Sequence, residues 1–458
     1  MRQIEKKQAP LTTAAIHHQH TRELDAISEI LDAHPELARR AQRDLSRGRR
    51  TDVGREGMSG EQAIRIALLK QIHQVSYREL AFQLADSATF RRFARLPFGR
   101  TIKVSALQAN VKSLSVGTWE LINKALLRHA EDAGIEDGRK IRTDCTVVES
   151  NIHEPSDSSL LWDCVRVIMR LVKRAQAELP ELDWSFVRDH RRAAKQRALE
   201  IKFPPRSKKD KAANRKRAYR KLIRAADACR EFGLVAEARL RIAPGRDFIV
   251  QVQLNAIADE LAGHLASLRQ VLDQTTRRVI EGESVPAREK IVSIFEKHTD
   301  IIIKDHYETL FGHKICLTGG ASSMILDVVV EDGNPADSSL VARSIERQRE
   351  LYGRSPRQAS FDGGFASKEN LKTAKRLGVK DVAFHKKCGL KISEMVKSAW
   401  VFKRLRNFRA GIEGCISALK RAFGLERCTW RGRAGFDSYV WSCVVAFNAI
   451  VLARHLTA

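Results

Sequence analysis

The sequence predicts an α/β protein: an all-helical region first, then a strand-bearing part that a helical insertion splits after its first strand. Three observations carry this. Residues 1–138 show helical periodicity with helix-start signals. Short runs rich in β-branched residues occur at 140–149 and again between 291 and 385. Between those two groups, residues 158–285 return to helical periodicity around a dense run of positive charge.

In the first region, Thr21–Leu45 reads as one long helix of charged residues interleaved with Leu, Ile and Ala. Ser59 followed by Gln62 is a capping-box arrangement that opens a helix through Ile64, Ala67, Leu68 and Ile72. Ser76 and Glu79 repeat it ahead of Leu80–Ala85, and a further helix is expected over Val104–Ala133. Short helices joined by tight turns in a basic protein suggest a helix-turn-helix type module; a helical bundle for dimer contacts is the equal alternative.

Lys140–Glu149 is the first strand, and Asp157 in the Ser-Asp-Ser turn after it is expected to cap the next helix. Leu160–Leu171 and Leu254–Leu272 are amphipathic helices. Between them His190–Arg224 holds fifteen Lys/Arg against Glu200 and Asp210. Such a run predicts phosphate contact without sequence readout, through Lys208, Lys209, Lys211, Arg215, Lys216 and Arg217. Strands are then expected at Ile291–Phe295, Ile301–Lys304, His313–Leu317 and Met324–Val330. A helix follows over Asp337–Tyr352, a strand over Arg357–Asp362 stopped by Gly363-Gly364, a helix over Lys368–Leu377 and a strand over Val379–His385. Helices at Asn407–Phe423 and Asp437–His455 close the chain. The domains are read as 1–138, helical and DNA-binding or dimerising; 139–157 with 286–425, catalytic; 158–285, a basic helical insertion; and 426–458, a C-terminal helical segment.

Composition narrows the function. The chain has 458 residues with 81 Lys+Arg against 55 Asp+Glu, a net charge of +26. A protein this basic meets a polyanion, and nucleic acid is the first candidate. The apolar run Val440–Leu452 is interrupted by Ser442 and Asn448 and too short to span a bilayer, and the N-terminus has no signal-peptide core, so a cytoplasmic protein without a membrane partner is expected. Eight scattered cysteines without Cys-x-x-Cys spacing read as buried free thiols.

The chemistry concentrates on three acids. Arg409, Glu413 and Lys420 fall within roughly 40° of one another on a helix, beside an apolar line of Ile412, Ile416, Leu419 and Phe423. Asp144 lies mid-strand, and Asp362 ends a strand before a Gly-Gly turn. Singly, each has a plain explanation: a salt bridge to Arg142, a turn aspartate, an i,i+4 partner of Arg409. Together they are hard oxygen ligands of the kind a nuclease or transposase uses to hold divalent cations. Glu149, His153, Glu154, His313, Lys314 and Trp430 are lesser candidates.

At these residues the chain resembles bacterial insertion-sequence transposases of the DDE class, which have an RNase H-like catalytic core. Thr143–Asp157 is similar to the first-acid block and Ser360–Phe365 to the second. The 409–420 helix is similar to the third-acid signature Tyr-x2-Arg-x3-Glu-x6-Lys, with Arg406 standing at the Tyr position. The similarity covers roughly residues 60–435 and includes Phe311–Lys314 and Gly333–Asp337. It implies Asp144, Asp362 and Glu413 as catalytic ligands of two Mg2+ ions (Mn2+ able to substitute), about 3.5–4 Å apart. It also implies that Arg409 and Lys420, with Arg406 beside them, contact DNA. The implied function is binding of terminal inverted repeats, strand cleavage and strand transfer into target DNA by a dimer or larger assembly. A nuclease without strand transfer and an inactive DNA-binding protein are the alternatives.

Overall fold

The computed structural model describes residues 18–47, 57–97, 99–204, 211–304, 308–385 and 388–458. The chain forms two compact units, one of Met1–Asn151 with Gly312–Ala458 and one of Ile152–Phe311.

In the first unit the N-terminal helices follow their capping residues. The stretch expected as one helix is two, α1 (Gln19–Asp32) and α2 (Pro35–Ser46). Pro35 explains the break, because its ring disfavours helical geometry at His34 (φ −125°, ψ 67°) while suiting the first turn of a new helix. Ser59 and Gln62 form the reciprocal capping box that opens α3 (Gly60–His73). Ser76 caps α4 (Tyr77–Asp86) and Ser87 caps α5 (Ala88–Phe93). The helix expected over Val104–Ala133 divides into α6 (Val104–Ser113) and α7 (Val116–Asp132). The Ser115 side chain accepts from the Thr118 N–H, so the hydroxyl starts a new helix there. Arg65 of α3 is fully buried, and its guanidinium pairs with Asp32 (2.6 Å) and Glu61 (3.1 Å).

The second unit is mainly helical: α8 (Asp157–Glu178), α9 (Arg191–Lys202), α10 (Lys211–Ile242) and α11 (Phe248–Thr275). They share a core that includes Leu161, Ile168, Leu222, Leu254 and Leu261. Ser156, not Asp157, caps α8, accepting from the Ser159 N–H. Asp157 is instead buried against Arg278 (3.0 Å) and Gln274 (3.2 Å). The strand expected at Ile291–Phe295 is absent. The Gln274 amide both accepts from the Ile291 N–H (2.9 Å) and donates to its carbonyl (3.2 Å). It satisfies the backbone groups that a neighbouring strand would otherwise have to meet.

The sheet is mixed. Its central strand β1 (Lys140–Glu149) runs antiparallel to β3 (Glu308–Gly319), which also pairs with β2 (Asp300–Lys304) and, antiparallel, with β4 (Ile325–Val330). On its other side β1 runs parallel to β5 (Gln358–Phe361), and β5 parallel to β6 (Asp381–Phe384). In the first unit this gives the order β4-β3-β1-β5-β6, antiparallel on one side of β1 and parallel on the other. The connecting helices are α12 (Val341–Tyr352), α13 (Lys368–Arg376) and the short α14 (Ile392–Met395). Two long helices finish the unit, α15 (Ala399–Phe423) and α16 (Arg433–Thr457).

α16 is apolar because it lies inside the protein. By length and composition it passes for a membrane span, yet 89% of its most apolar window is buried. Val440, Val444, Phe447 and Leu452 join the core shared by the sheet and α1–α7. Six of the eight cysteines are buried, Cys145 is half-buried, Cys388 is exposed, and all eight are free.

Candidate active site

Strand register brings the first two acids together. Thr143 of β1 pairs with Phe361 of β5 in a parallel ladder. The next residues, Asp144 on β1 and Asp362 just past the end of β5, therefore stand side by side, where paired strands run about 4.8 Å apart. Asp144 Oδ1 accepts from the Cys145 N–H at 2.8 Å, which fixes the carboxylate against its own strand. Beyond Asp362 the chain leaves the sheet through a 3-10 turn, Gly363–Phe365. Gly364 leaves room there for Asp337, whose Oδ2 would stand 2.8 Å from a Cβ at that position. Asp337 in turn pairs with Lys314 (2.5 Å), whose ammonium also donates to the Pro335 carbonyl (2.6 Å).

The third acid is carried in by α15. This helix starts at Ala399, eight residues before the expected Asn407, because Ser398 caps it and accepts from the Val401 N–H (3.3 Å). Two side chains from the sheet bond its backbone. Ser360 Oγ of β5 donates to the Leu405 carbonyl (2.9 Å), and Arg142 of β1 donates to the Phe408 carbonyl (2.9 Å). The Phe408 ring lies under Lys140 Nζ (4.1 Å) and the Arg142 guanidinium (4.6 Å), two cation–π contacts that add to the seating. Gly411 leaves room for Arg142, since a Cβ there would lie 1.9 Å from Nη1. Buried Ile412 and Leu419 complete the apolar face. Arg142 is thus committed to α15, and it is not the salt-bridge partner that a plain explanation of Asp144 required.

Seated this way, α15 points Arg409 into the acids. Its Nη1 lies 3.7 Å from Asp144 Oδ2 and 3.6 Å from Asp362 Oδ1, and its Nη2 bonds Glu413 Oε1 at 2.7 Å. One guanidinium faces three carboxylates from a strand centre, a strand end and a helix. Arg409 is buried, whereas the Glu413 side chain is 60% exposed. Burial pushes the Asp144 carboxyl up to about 6. The Cys145 N–H bond and Arg409 oppose that rise, while the charges of Asp362 and Glu413 add to it. Among the described residues no group of three or more His, Cys, Asp or Glu side chains is gathered closely enough to hold a metal ion. The Arg409 guanidinium stands between the acids.

The other candidates divide. Lys420 lies on the same helix, half-buried, about 16 Å along the axis from Arg409, and Arg406 is exposed one turn before it. Lys211, Arg215 and Arg217 are exposed on α10 in the second unit, with Lys216 half-buried. Lys208 and Lys209 lie outside the described residues. Glu149 pairs with Arg427 (2.9 Å), His153 faces Asp163 (3.7 Å), His313 is buried edge-on to Phe436, and Trp430 is buried against Tyr439. What sequence reasoning missed is the direction of Arg409. Its i,i+4 spacing from Glu413 showed that the two could pair, but contact with Asp144 and Asp362 depends on how β1, β5 and α15 pack.

Two family models match the chain. The transposase DDE domain matches residues 273–449, a span that holds Asp362, Arg409 and Glu413 and begins after Asp144. The transposase domain DUF772 matches residues 13–107. No curated protein and no solved structure matches. A DDE domain implies an RNase H-like core, and the sheet order around β1 is its framework. The chain thus carries a DUF772 transposase domain ahead of a transposase DDE domain, and the DDE domain indicates an enzyme of the polynucleotidyl transferase type that acts on DNA.

Proposed function

We propose that this transposase binds the terminal inverted repeats of an insertion sequence, cuts the ends with Mg2+, and joins the freed 3′-hydroxyls to target DNA. In this reading Asp144, Asp362 and Glu413 are the catalytic carboxylates. The observation that carries it is their convergence on one cation, with contacts of 3.7, 3.6 and 2.7 Å to Arg409. Three carboxylate groups already sharing a positive charge are a donor set that suits a hard divalent cation. DDE transposases generally use divalent metals. When bound, Mg2+ (two ions, with Mn2+ able to substitute) would make a water or 3′-hydroxyl nucleophilic and offset charge on the leaving oxygen.

The protein's own groups prepare for this. Asp144, with its pKa near 6, is mainly ionised at neutral pH and ready to act as a ligand. Its bond from the Cys145 N–H holds one oxygen in place. Glu413, on the exposed side, closes the set from the helix. Arg406 and Lys420 are the cations of α15 that we assign to DNA near the cut, and Lys211, Arg215, Lys216 and Arg217 of α10 track the backbone as sequence-independent contacts, with Lys208 and Lys209 assigned to the same run. We assign end binding and dimer formation to 1–138, catalysis to 139–157 with 286–425, backbone binding to 158–285, and structural support to 426–458. Two ends must meet, so the working form is a dimer or larger assembly on DNA, in the bacterial cytoplasm. The test is incubation with an end duplex and a target plasmid in Mg2+. Joined products support the reading, and nicked ends without joining would reduce it to a nuclease.

A further inference from the structure

Arg409 is poorly placed for DNA in the state described. It is 8% exposed, and both terminal nitrogens face carboxylates. Its Nε is buried and has no hydrogen-bond acceptor. The three acids have this one guanidinium in common: Asp144 Oδ2, Asp362 Oδ1 and Glu413 Oε1 each lie within 3.7 Å of a terminal nitrogen.

We propose that Arg409 is a counter-cation latch. It holds the three carboxylates together while they lack a divalent cation, leaves the cluster when one enters, and then turns its guanidinium to a DNA phosphate beside the cut. This rests on the assignment of Asp144, Asp362 and Glu413 as metal ligands. A guanidinium keeps its charge at any working pH, so it cannot stay between the acids as a neutral group once a second cation arrives. Like charge expels it, and its only response is to swing on its three-methylene stem. A phosphate offers two oxygens to the planar fork, and the now-idle Nε gains an acceptor. Metal and DNA then favour each other's binding, because each rewards the same displaced state of Arg409, and the coupling is reciprocal.

The test is Mn2+ binding to the full chain by titration calorimetry, with and without a short duplex. In the wild-type protein the duplex should tighten Mn2+ binding by at least about fivefold. Arg409→Gln should bind Mn2+ about fivefold or more tightly than wild type in the absence of DNA, and the duplex should no longer change that affinity. Arg409→Lys, which keeps one charge but cannot face three acids, should fall between them and serves if the glutamine variant folds poorly. Unchanged or weaker Mn2+ binding in both variants, alongside lost binding in Asp362→Asn, would overturn the latch and leave the ligand assignment standing. Unchanged binding in Asp362→Asn would instead count against the ligand assignment itself.

Discussion

Asp144 shows how a single residue can be held against its own stability. A carboxyl whose folded pKa exceeds its ordinary value takes up protons more readily in the native state than in the unfolded chain. The native state therefore loses stability as pH rises from about 4 to about 6, and the full cost is present above that. Asp144→Asn removes it. Without metal, the variant should be more stable than wild type by about 1–2 kcal/mol at pH 7.5, and the advantage should vanish by pH 3.5. Paired thermal melts at the two pH values check this, and a destabilised variant at pH 7.5 would contradict it. Catalytic residues often carry such a cost. Arg409 was legible in the sequence as the i,i+4 neighbour of Glu413. Its contacts to Asp144 and Asp362 were not, because they join residues 265 and 47 positions apart through the packing of three elements.

At the scale of elements, caps and β-branched runs were readable and tertiary substitutions were not. Ser59 and Ser76 start helices where hydroxyl chemistry says they should. Ile291–Phe295 has strand composition, but the Gln274 amide takes the partner's role, which no local pattern reveals. Asn448 does something similar at the sheet edge. It looked like an interruption in an apolar run, and it is fully buried. Its amide accepts from the Ile325 N–H (2.8 Å) and donates to the Ile325 carbonyl (2.6 Å) and to Asn123 (2.7 Å). α16 thus satisfies the outer edge of β4. Asn448→Leu leaves those groups buried without partners, a loss of about 2–4 kcal/mol. Hydrogen exchange should report faster exchange at the Ile325 amide, and unchanged protection there would refute the role.

Across the whole molecule the governing quantity is the charge of +26. The exposed cations of α10 stand on a helix whose first turn has no acidic residue. Replacing Lys211, Arg215 and Arg217 together with Gln should weaken DNA binding evenly across sequences. It should also lower the slope of log affinity against log salt by about 2–3, near 0.9 per lost phosphate contact. Anisotropy titrations over a salt series measure it, and an unchanged slope would make this stretch a bystander. The basic character was evident from composition, and so was the split of the strand-bearing part. The single core joining the N-terminal helices to the sheet was not, because it is built from α16 and α7, more than 300 residues apart in sequence.

Proposed as one catalytic set, Asp144, Asp362 and Glu413 should each be indispensable when substituted singly. The most direct measurement is Mg2+-dependent cleavage of an end duplex by Asp144→Asn, Asp362→Asn and Glu413→Gln, with end binding measured in parallel. Each variant should bind the duplex as wild type does when no divalent metal is present, and lose at least about 100-fold in cleavage rate in Mg2+, the scale expected when a group essential to metal-ion catalysis is removed. A variant that still cleaves at near wild-type rate would remove its residue from the set, and two such variants would contradict the account.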